Sequence, residues 1–300
     1  MRRLGLAGLA VLAAPVALFA ADAKPLALAV HDAQGQFVPD LRADEVRVIE
    51  NGEPRELAGF ERDERPLAAA LVLDTSRGAS RVFRTQAFDV VWSFVSKLPP
   101  GSKCQLWGTS DRPRKLGSLD GERKDVDKKV GQGFAIDGAN VLMDTVVEAA
   151  NALERESGKR RALIVLSGSG AGHTSYTPND VTAAARKAGA PIFALMYDEG
   201  EAAGAGSLRL GDTPRDANNL TIVGPGDHEK VLAGLAQGTG GRFERIAAAN
   251  GVSVPFQAYA AELGGQYRLR YVPGDPRGPR RVEVRVARPG LHWRIALASP

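Results

Sequence analysis

One cysteine is all the sequence contains, Cys104, so no disulfide forms within the chain. It falls in Lys103–Trp107, a stretch that reads as a strand, which predicts a buried, inert thiol. Histidine is also scarce: His31, His173, His228 and His292 stand on separate stretches. With neither His-x-x-x-His nor paired cysteines, zinc is not indicated. The net charge is only +4 and no long basic run occurs, so nucleic acid is not an expected partner. Beyond residue 23 nothing approaches the ~18 consecutive apolar residues of a membrane span. Phosphate-binding signatures are missing as well. Gly168, Gly170 and Gly172 are followed by His173, so Gly-x-Gly-x-x-Gly is not completed, and no Lys-Ser/Thr follows as a phosphate-binding loop requires.

What is present is an ordinary globular composition, 44% hydrophobic and 25% charged, ample for a buried core. A length of 300 residues allows one large domain or two modest ones. The start reads differently. Arg2-Arg3 is a positive region, Leu4–Phe19 is apolar, and Ala21-Asp22-Ala23 has the small-x-small form of a cleavage site. Residues 1–23 are expected to be a signal peptide, with the mature chain beginning near Lys24 and the protein secreted or periplasmic. An uncleaved anchor is the alternative, and the only route to a membrane.

The organising stretch is Ala69–Ser80, AALVLDTSRGAS. An apolar run bounded by polar turn residues reads as a buried strand. Its carboxyl end offers the Asp74 carboxylate and the Ser76 hydroxyl, with Gly78 and Ser80 just after. In an open α/β sheet, ligands bind beyond the carboxyl ends of the strands. A hard, oxygen-rich group suits Mg²⁺, although Asp and Ser also simply cap helices.

Around this strand the pattern alternates. Helical spacing of Phe83, Ala87, Val90, Val91, Phe94 and Leu98 is stopped by Pro99-Pro100-Gly101. Arg112–Gly121 reads as loop with a short strand, and Gly131–Gly138 as loop. A helix follows from about Val141, with Asn140 as its N-cap. Arg161–Leu166 is a buried strand that turns at Ser167-Gly168-Ser169-Gly170. Thr177-Pro178-Asn179-Asp180 opens another helix, and Pro191–Tyr197 is again a buried strand. Residues 199–219 are Gly, Ala, Asp and Asn with few large apolar side chains, which predicts a loop. Asp227 and Ser253 are expected to cap two further helices.

Both ends differ from this middle. Leu26–His31 and Val46–Ile49 alternate, and Asn51-Gly52 signals a tight hairpin with Arg55–Glu61 as the partner strand. Gln266–Val272, Arg281–Val286 and His292–Leu297 also alternate, as half-exposed antiparallel strands do. The expected fold class is α/β. A doubly wound, mostly parallel, Rossmann-like sheet (67–264) is inserted into a small β-sandwich built from residues 24–66 and 265–300. Neither end alone can bury a core, which is why they are paired.

VHDAQGQFVPDLRADEVRVIENGEPRELAGF, AALVLDTS, RRALIVLSGSG, GTGGRFERI, QYRLRYVPG and RRVEVRVARPG occur in that order. In this they resemble the von Willebrand factor A (VWA) domain proteins, and among them the bacterial exported VWFA-related family. The likeness runs from Leu26 to Leu297. It implies a metal-ion-dependent adhesion site of Asp-x-Ser-x-Ser, a Thr on a second loop and an Asp on a third. Asp74 and Ser76 match the first positions. Gly78 stands for the next Ser, Asn140 for the Thr and Gly168 for the Asp. The implied site is therefore degenerate, with Asp74, Ser76 and the Asn140 amide oxygen as candidate ligands. Mg²⁺ is the only cofactor in question. Ser80, Ser167 and Ser169 are possible substitutes, and Asp111 and Asp137 lie on neighbouring loops.

No enzymatic motif is complete. Ser169 lies in SGSGAG but lacks the leading Gly of Gly-x-Ser-x-Gly. The expectation is a non-enzymatic, exported protein-interaction module for adhesion or scaffolding, with no small-molecule substrate. An unknown protein partner would bind at an edge made by Asp74, Ser76, Gly78, Ser80, Asp111, Asn140, Gly168 and Ser169. An exported serine hydrolase using Ser169 or Ser76, and a structural envelope component, are the rival readings.

Overall fold

The computed structural model describes residues 23–77, 79, 81–120, 122–130, 138–170, 172–198, 221–275 and 280–296. The expected signal peptide through residue 22, Gly78, Ser80, Asp137 and the 199–219 stretch lie outside the described residues.

The chain opens with β1 (Lys24–His31), β2 (Val46–Glu50), β3 (Glu53–Arg55) and β4 (Leu57–Arg62). The α/β part follows with β5 (Leu67–Asp74), α1 (Arg81–Val95), β6 (Lys103–Thr109), β7 (Arg114–Leu119), α2 (Arg123–Val130), α3 (Leu142–Glu154) and β8 (Arg160–Gly168). It continues through β9 (Gly172–Thr174), α4 (Pro178–Lys187), β10 (Ile192–Tyr197), β11 (Thr221–Val223), α5 (Pro225–Thr239), β12 (Arg242–Ile246) and α6 (Ser253–Gly264). The chain closes with β13 (Tyr267–Tyr271), β14 (Val282–Val286) and β15 (His292–Ala296).

A six-stranded sheet runs in the order β12-β10-β8-β5-β6-β7. Every neighbouring pair is parallel except β6 with β7, which is antiparallel. The order reverses between β5 and β8, where an open α/β sheet forms its binding crevice. β5 is buried along its whole length, so its side chains divide between two cores. Leu67, Ala69, Leu71 and Leu73 face α1 and α6 with Phe94, Phe256 and Tyr259. Ala68, Ala70 and Val72 face α3, α4 and α5 with Val146, Val181 and Leu232. This two-sided burial explains why the strand reads as an unbroken apolar run. Cys104 is fully buried, and burial pushes its thiol up to about 12.

The two ends of the chain meet as expected. β1 is hydrogen-bonded between β13 and β15 in the sheet β15-β1-β13-β4, and β14-β2-β3 forms a second sheet. Leu28, Val30, Val48, Tyr267, Leu269 and Val284 fill the space between them. Arg160 fastens this sandwich to the α/β part. Its Nε donates to the Arg65 carbonyl at 2.9 Å, its Nη1 donates to the Leu263 carbonyl at 2.5 Å, and Asp63 lies 3.9 Å away.

Several local expectations are corrected. Arg55–Glu61 is not one hairpin partner. The Asn51-Gly52 turn, with φ of 53° and 87°, returns only through β3, and the chain then switches sheets so that β4 pairs with β13. The lever is packing: Phe60 stacks on Tyr267 at 4.8 Å. α2 was not legible, because RKDVDKKV is strongly polar and only Val126 and Val130, four residues apart, reach the core. Asn140 does not cap α3; Val141 holds that position without a side-chain bond. Asp227 lies in the first turn of α5, whose N-cap is Gly224, and Val252 rather than Ser253 is the cap of α6. Thr177 and Asp180 do form the capping box of α4.

If the sandwich needs both ends, a chain beginning after Asp63 is expected to lose cooperative unfolding in urea, because β13 and β15 are left without β1 between them. A cooperative transition of unchanged midpoint would contradict this. Glu50 gives a second test. Its side chain is only 3% exposed. Burial works to raise its pKa, but the Gly274 N–H, the Tyr271 hydroxyl and the Arg280 and Arg55 charges outweigh it and hold it below the ordinary value. A depressed folded-state pKa contributes stability above the unfolded value of ~4.3, which is lost as pH falls. Glu50→Gln should cost roughly 2 kcal/mol at neutral pH. The gap to wild type in urea should close on acidification below about pH 4, and a gap independent of pH would count against it.

Candidate functional site

The switch point between β5 and β8 holds a closed polar cluster. Asp74 ends β5, Thr109 ends β6, Ser167 and Gly168 end β8, and Asn140 sits two residues before α3. These elements bring together groups separated by as many as 94 positions. Asp74 is the hub. Its Oδ1 accepts from the Ser76 N–H at 3.0 Å and the Ser76 hydroxyl at 2.6 Å. Its Oδ2 accepts from Asn140 Nδ2 at 3.0 Å and the Gly168 N–H at 3.3 Å. A carboxylate has about four acceptor sites, and these donors match them.

The orientation of the Asn140 amide follows from its neighbours. Thr109 Oγ1 donates to Asn140 Oδ1 at 2.9 Å, which leaves the NH₂ for Asp74. The reverse orientation would face an amide oxygen against a carboxylate oxygen, with no proton between them. Nδ2 also lies 3.4 Å from Ser167 Oγ. The loops are tied by their backbones too. The Arg77 N–H donates to the Gly138 carbonyl at 3.0 Å, and the His173 N–H to the Asn140 carbonyl at 2.7 Å. Gly138 adopts φ +68°, and a Cβ there would lie 2.5 Å from Asp111 Oδ1. Only glycine lets Asp111 reach in and accept the Ala139 N–H at 2.8 Å.

Burial sorts the expected site residues. Asp74, Ser76 and Asn140 are 3%, 4% and 4% exposed, and Thr109 and Ser167 are fully buried. Gly168 is buried, Ser169 half-buried and Asp111 exposed. The structure thus gathers Asp74, Ser76, Asn140 and Gly168 into one cluster and places Asp111 and Ser169 on its solvent side. Sequence reasoning missed Thr109, whose signal was its position at the end of the strand beside β5. It also missed His228, which α5 brings to the cluster with Nε2 3.3 Å from Ser167 Oγ. Burial pushes the His228 pKa below its ordinary value, against the opposing pull of the Asp74 charge and the Gly170 backbone. Among the described residues its Nδ1 has no partner in hydrogen-bond geometry, and the ring borders a small apolar hollow lined by Leu142, Met143 and Leu232.

Among the described residues the side chains do not fit a Mg²⁺ ion. Mg²⁺ requires oxygen lone pairs in near-octahedral array. Here both Asp74 oxygens accept from N–H or O–H donors, and Asn140 turns its nitrogen, not its oxygen, toward them. Among the described residues no group of three or more His, Cys, Asp or Glu side chains is placed to hold a metal ion.

Removing the hub leaves several buried donors without an acceptor. Asp74→Ala is therefore expected to cost about 3 kcal/mol in urea unfolding. Ser169→Ala, on the solvent side of the cluster, should stay within about 0.5 kcal/mol of wild type. Equal effects would show that the cluster does not depend on Asp74.

No family model and no curated protein matches the chain. Solved structures do align with it. A von Willebrand factor type A protein from Catenulispora acidiphila is 12% identical over 93% of this chain and 75% of its own, with a TM-score of 0.48. The vWF domain of the type V pili tip protein Mfa5 from Porphyromonas gingivalis is 11% identical over 65% and 94%, with a TM-score of 0.46. Proximal thread matrix protein 1 of the mussel byssus is 16% identical over 78% of this chain and 50% of its own, with a TM-score of 0.48. The chain thus spans half the length of that last protein. These likenesses say what the chain is similar to and nothing of its activity. On its own strand order and its helices on both faces, the chain is a doubly wound, mostly parallel α/β protein with Asp74 at the switch point of the sheet.

Proposed function

We propose that this is an exported, non-enzymatic interaction module whose protein partner docks on the carboxyl edge of the six-stranded sheet. One observation carries the reading: the loops at the β5/β8 switch point are cross-linked from beneath by the Asp74 cluster. A rigid scaffold presenting ordered loops is a common arrangement for recognition, and the switch point is where such sheets bind their ligands. Export rests on the apolar leader followed by Ala21-Asp22-Ala23. Among the described residues no helix is long and apolar enough to cross a membrane.

The surface available to a partner differs from the buried hub. Asp111 and Ser169 are the expected site residues that reach solvent or its margin. At the β12 side of the sheet Arg245 bridges Asp198 and Glu229, each at 2.8 Å. The hydrolase reading finds little support in the geometry. The Ser76 hydroxyl is committed to Asp74 at 2.6 Å. Ser167, whose Oγ lies 3.3 Å from His228 Nε2, is fully buried, so no substrate carbonyl reaches it.

Capture from the envelope fraction of the source organism tests the reading. Wild-type protein should retain a partner that an Asp111→Arg, Ser169→Arg double variant loses by tenfold or more, while a variant at the opposite end of the sheet retains it. Equal capture by all of them would refute the placement. Labelling of the purified protein by a serine-directed fluorophosphonate, lost on Ser169→Ala, would refute the non-enzymatic reading.

A further inference from the structure

We propose that the Asn140 side chain performs here the task a divalent cation performs at the site this chain resembles, so that the sheet edge is organised without an ion. A buried carboxylate at the end of a central strand has to be met by positive charge or by hydrogen-bond donors. Asp74 is met entirely by donors, of which Asn140 Nδ2, at 3.0 Å, is the one side-chain amide. Thr109 holds that amide in its donor orientation at 2.9 Å, and Thr109 is itself fully buried. At the end of β8, Gly168 contributes a backbone N–H at 3.3 Å instead of a second carboxylate. The cluster therefore carries one negative charge with its acceptor sites matched. A dication would have to displace the Asn140 NH₂ from Asp74 and would leave that NH₂ facing Ser167 alone. The edge has a single state, set at folding and indifferent to metal concentration.

The isosteric change Asn140→Asp exposes the device. It replaces a donor by a second carboxylate at the same distance, and two carboxylates in contact cannot both stay ionised without a counter-charge. The variant should be destabilised in chelator and should recover with a cation that bridges the pair, because a ligand binding only the folded state raises its stability. Asn140→Ala removes the donor without adding charge, so it should be destabilised and stay insensitive to cations.

The experiment is thermal unfolding of the full chain in EDTA and in millimolar Mg²⁺ or Mn²⁺, with calorimetric titration of Mn²⁺ into each protein. The expected result is no shift and no binding heat for wild type. Asn140→Ala should have a melting temperature several degrees lower in every buffer. Asn140→Asp should be lower in EDTA and rise by several degrees with Mn²⁺. Saturable binding of one Mn²⁺ by wild type would overturn the proposal, as would an Asn140→Ala protein as stable as wild type. If Asn140→Asp does not fold in any buffer, the wild-type titration and Asn140→Ala still decide the matter. No partner enters this test, so its outcome is independent of the docking reading.

Discussion

A carboxylate placed at the buried end of a central strand must be satisfied, and much at this edge of the molecule follows from how Asp74 is satisfied. It draws the Ser76 loop under itself, turns Asn140 away from the helix it precedes, and takes the first N–H beyond Ser167. Each of these bonds fixes a different connecting segment, so one buried anion sets the shape of several loops together. Hydrogen bonds to a charged group contribute ~1.5–3 kcal/mol each, more than neutral ones, and burial raises the cost of leaving any of them unmade. Asn140 shows the competition directly. As an N-cap it would satisfy one helix amide; inside the cluster it satisfies a buried charge, and the charge wins.

The sheet beneath depends on a different constraint. A parallel strand covered on both faces needs helices on each side, and α1 with α6 on one face and α3, α4 and α5 on the other supply them. The sandwich at the opposite end depends on its two sheets covering each other. Its core closes only because β1, from the beginning of the chain, lies between β13 and β15 from the end. Arg160 stands where the two parts join and serves both, donating to the backbone of Arg65 before β5 and of Leu263 at the end of α6. Desolvation there lowers its pKa, opposed by the nearby Asp63 carboxylate.

Much of this was legible in the residues. AALVLD, RALIVL and PIFALMY read as buried strands because two-sided burial leaves no polar alternation, and QYRLRYV and RVEVRV read as half-exposed strands because one-sided burial leaves a strict one. The capping box at Thr177 and Asp180 is a local interaction and was readable as such. Elements whose identity depends on a distant partner were not. α2 has too few apolar residues to declare itself. β9 and β11 are three residues each and, among the described residues, pair with one another. β4 looked like the return of a hairpin until Tyr267, more than 200 positions away, claimed Phe60.

The sequence by itself determined the buried strands of the central sheet, the alternating strands of both ends and the position of Asp74 and Ser76 at the end of the first sheet strand, because periodicity and turn chemistry are local properties. Only the tertiary structure decided what Asp74 is for in this fold. Whether an asparagine offers its oxygen to a metal or its nitrogen to a carboxylate depends on what lies on its other side. Here Thr109, from a strand separated from Asn140 by 31 positions, supplies the proton that turns the amide. The same is true of Ser167 and His228, which meet only because α5 brings the histidine to the end of β8.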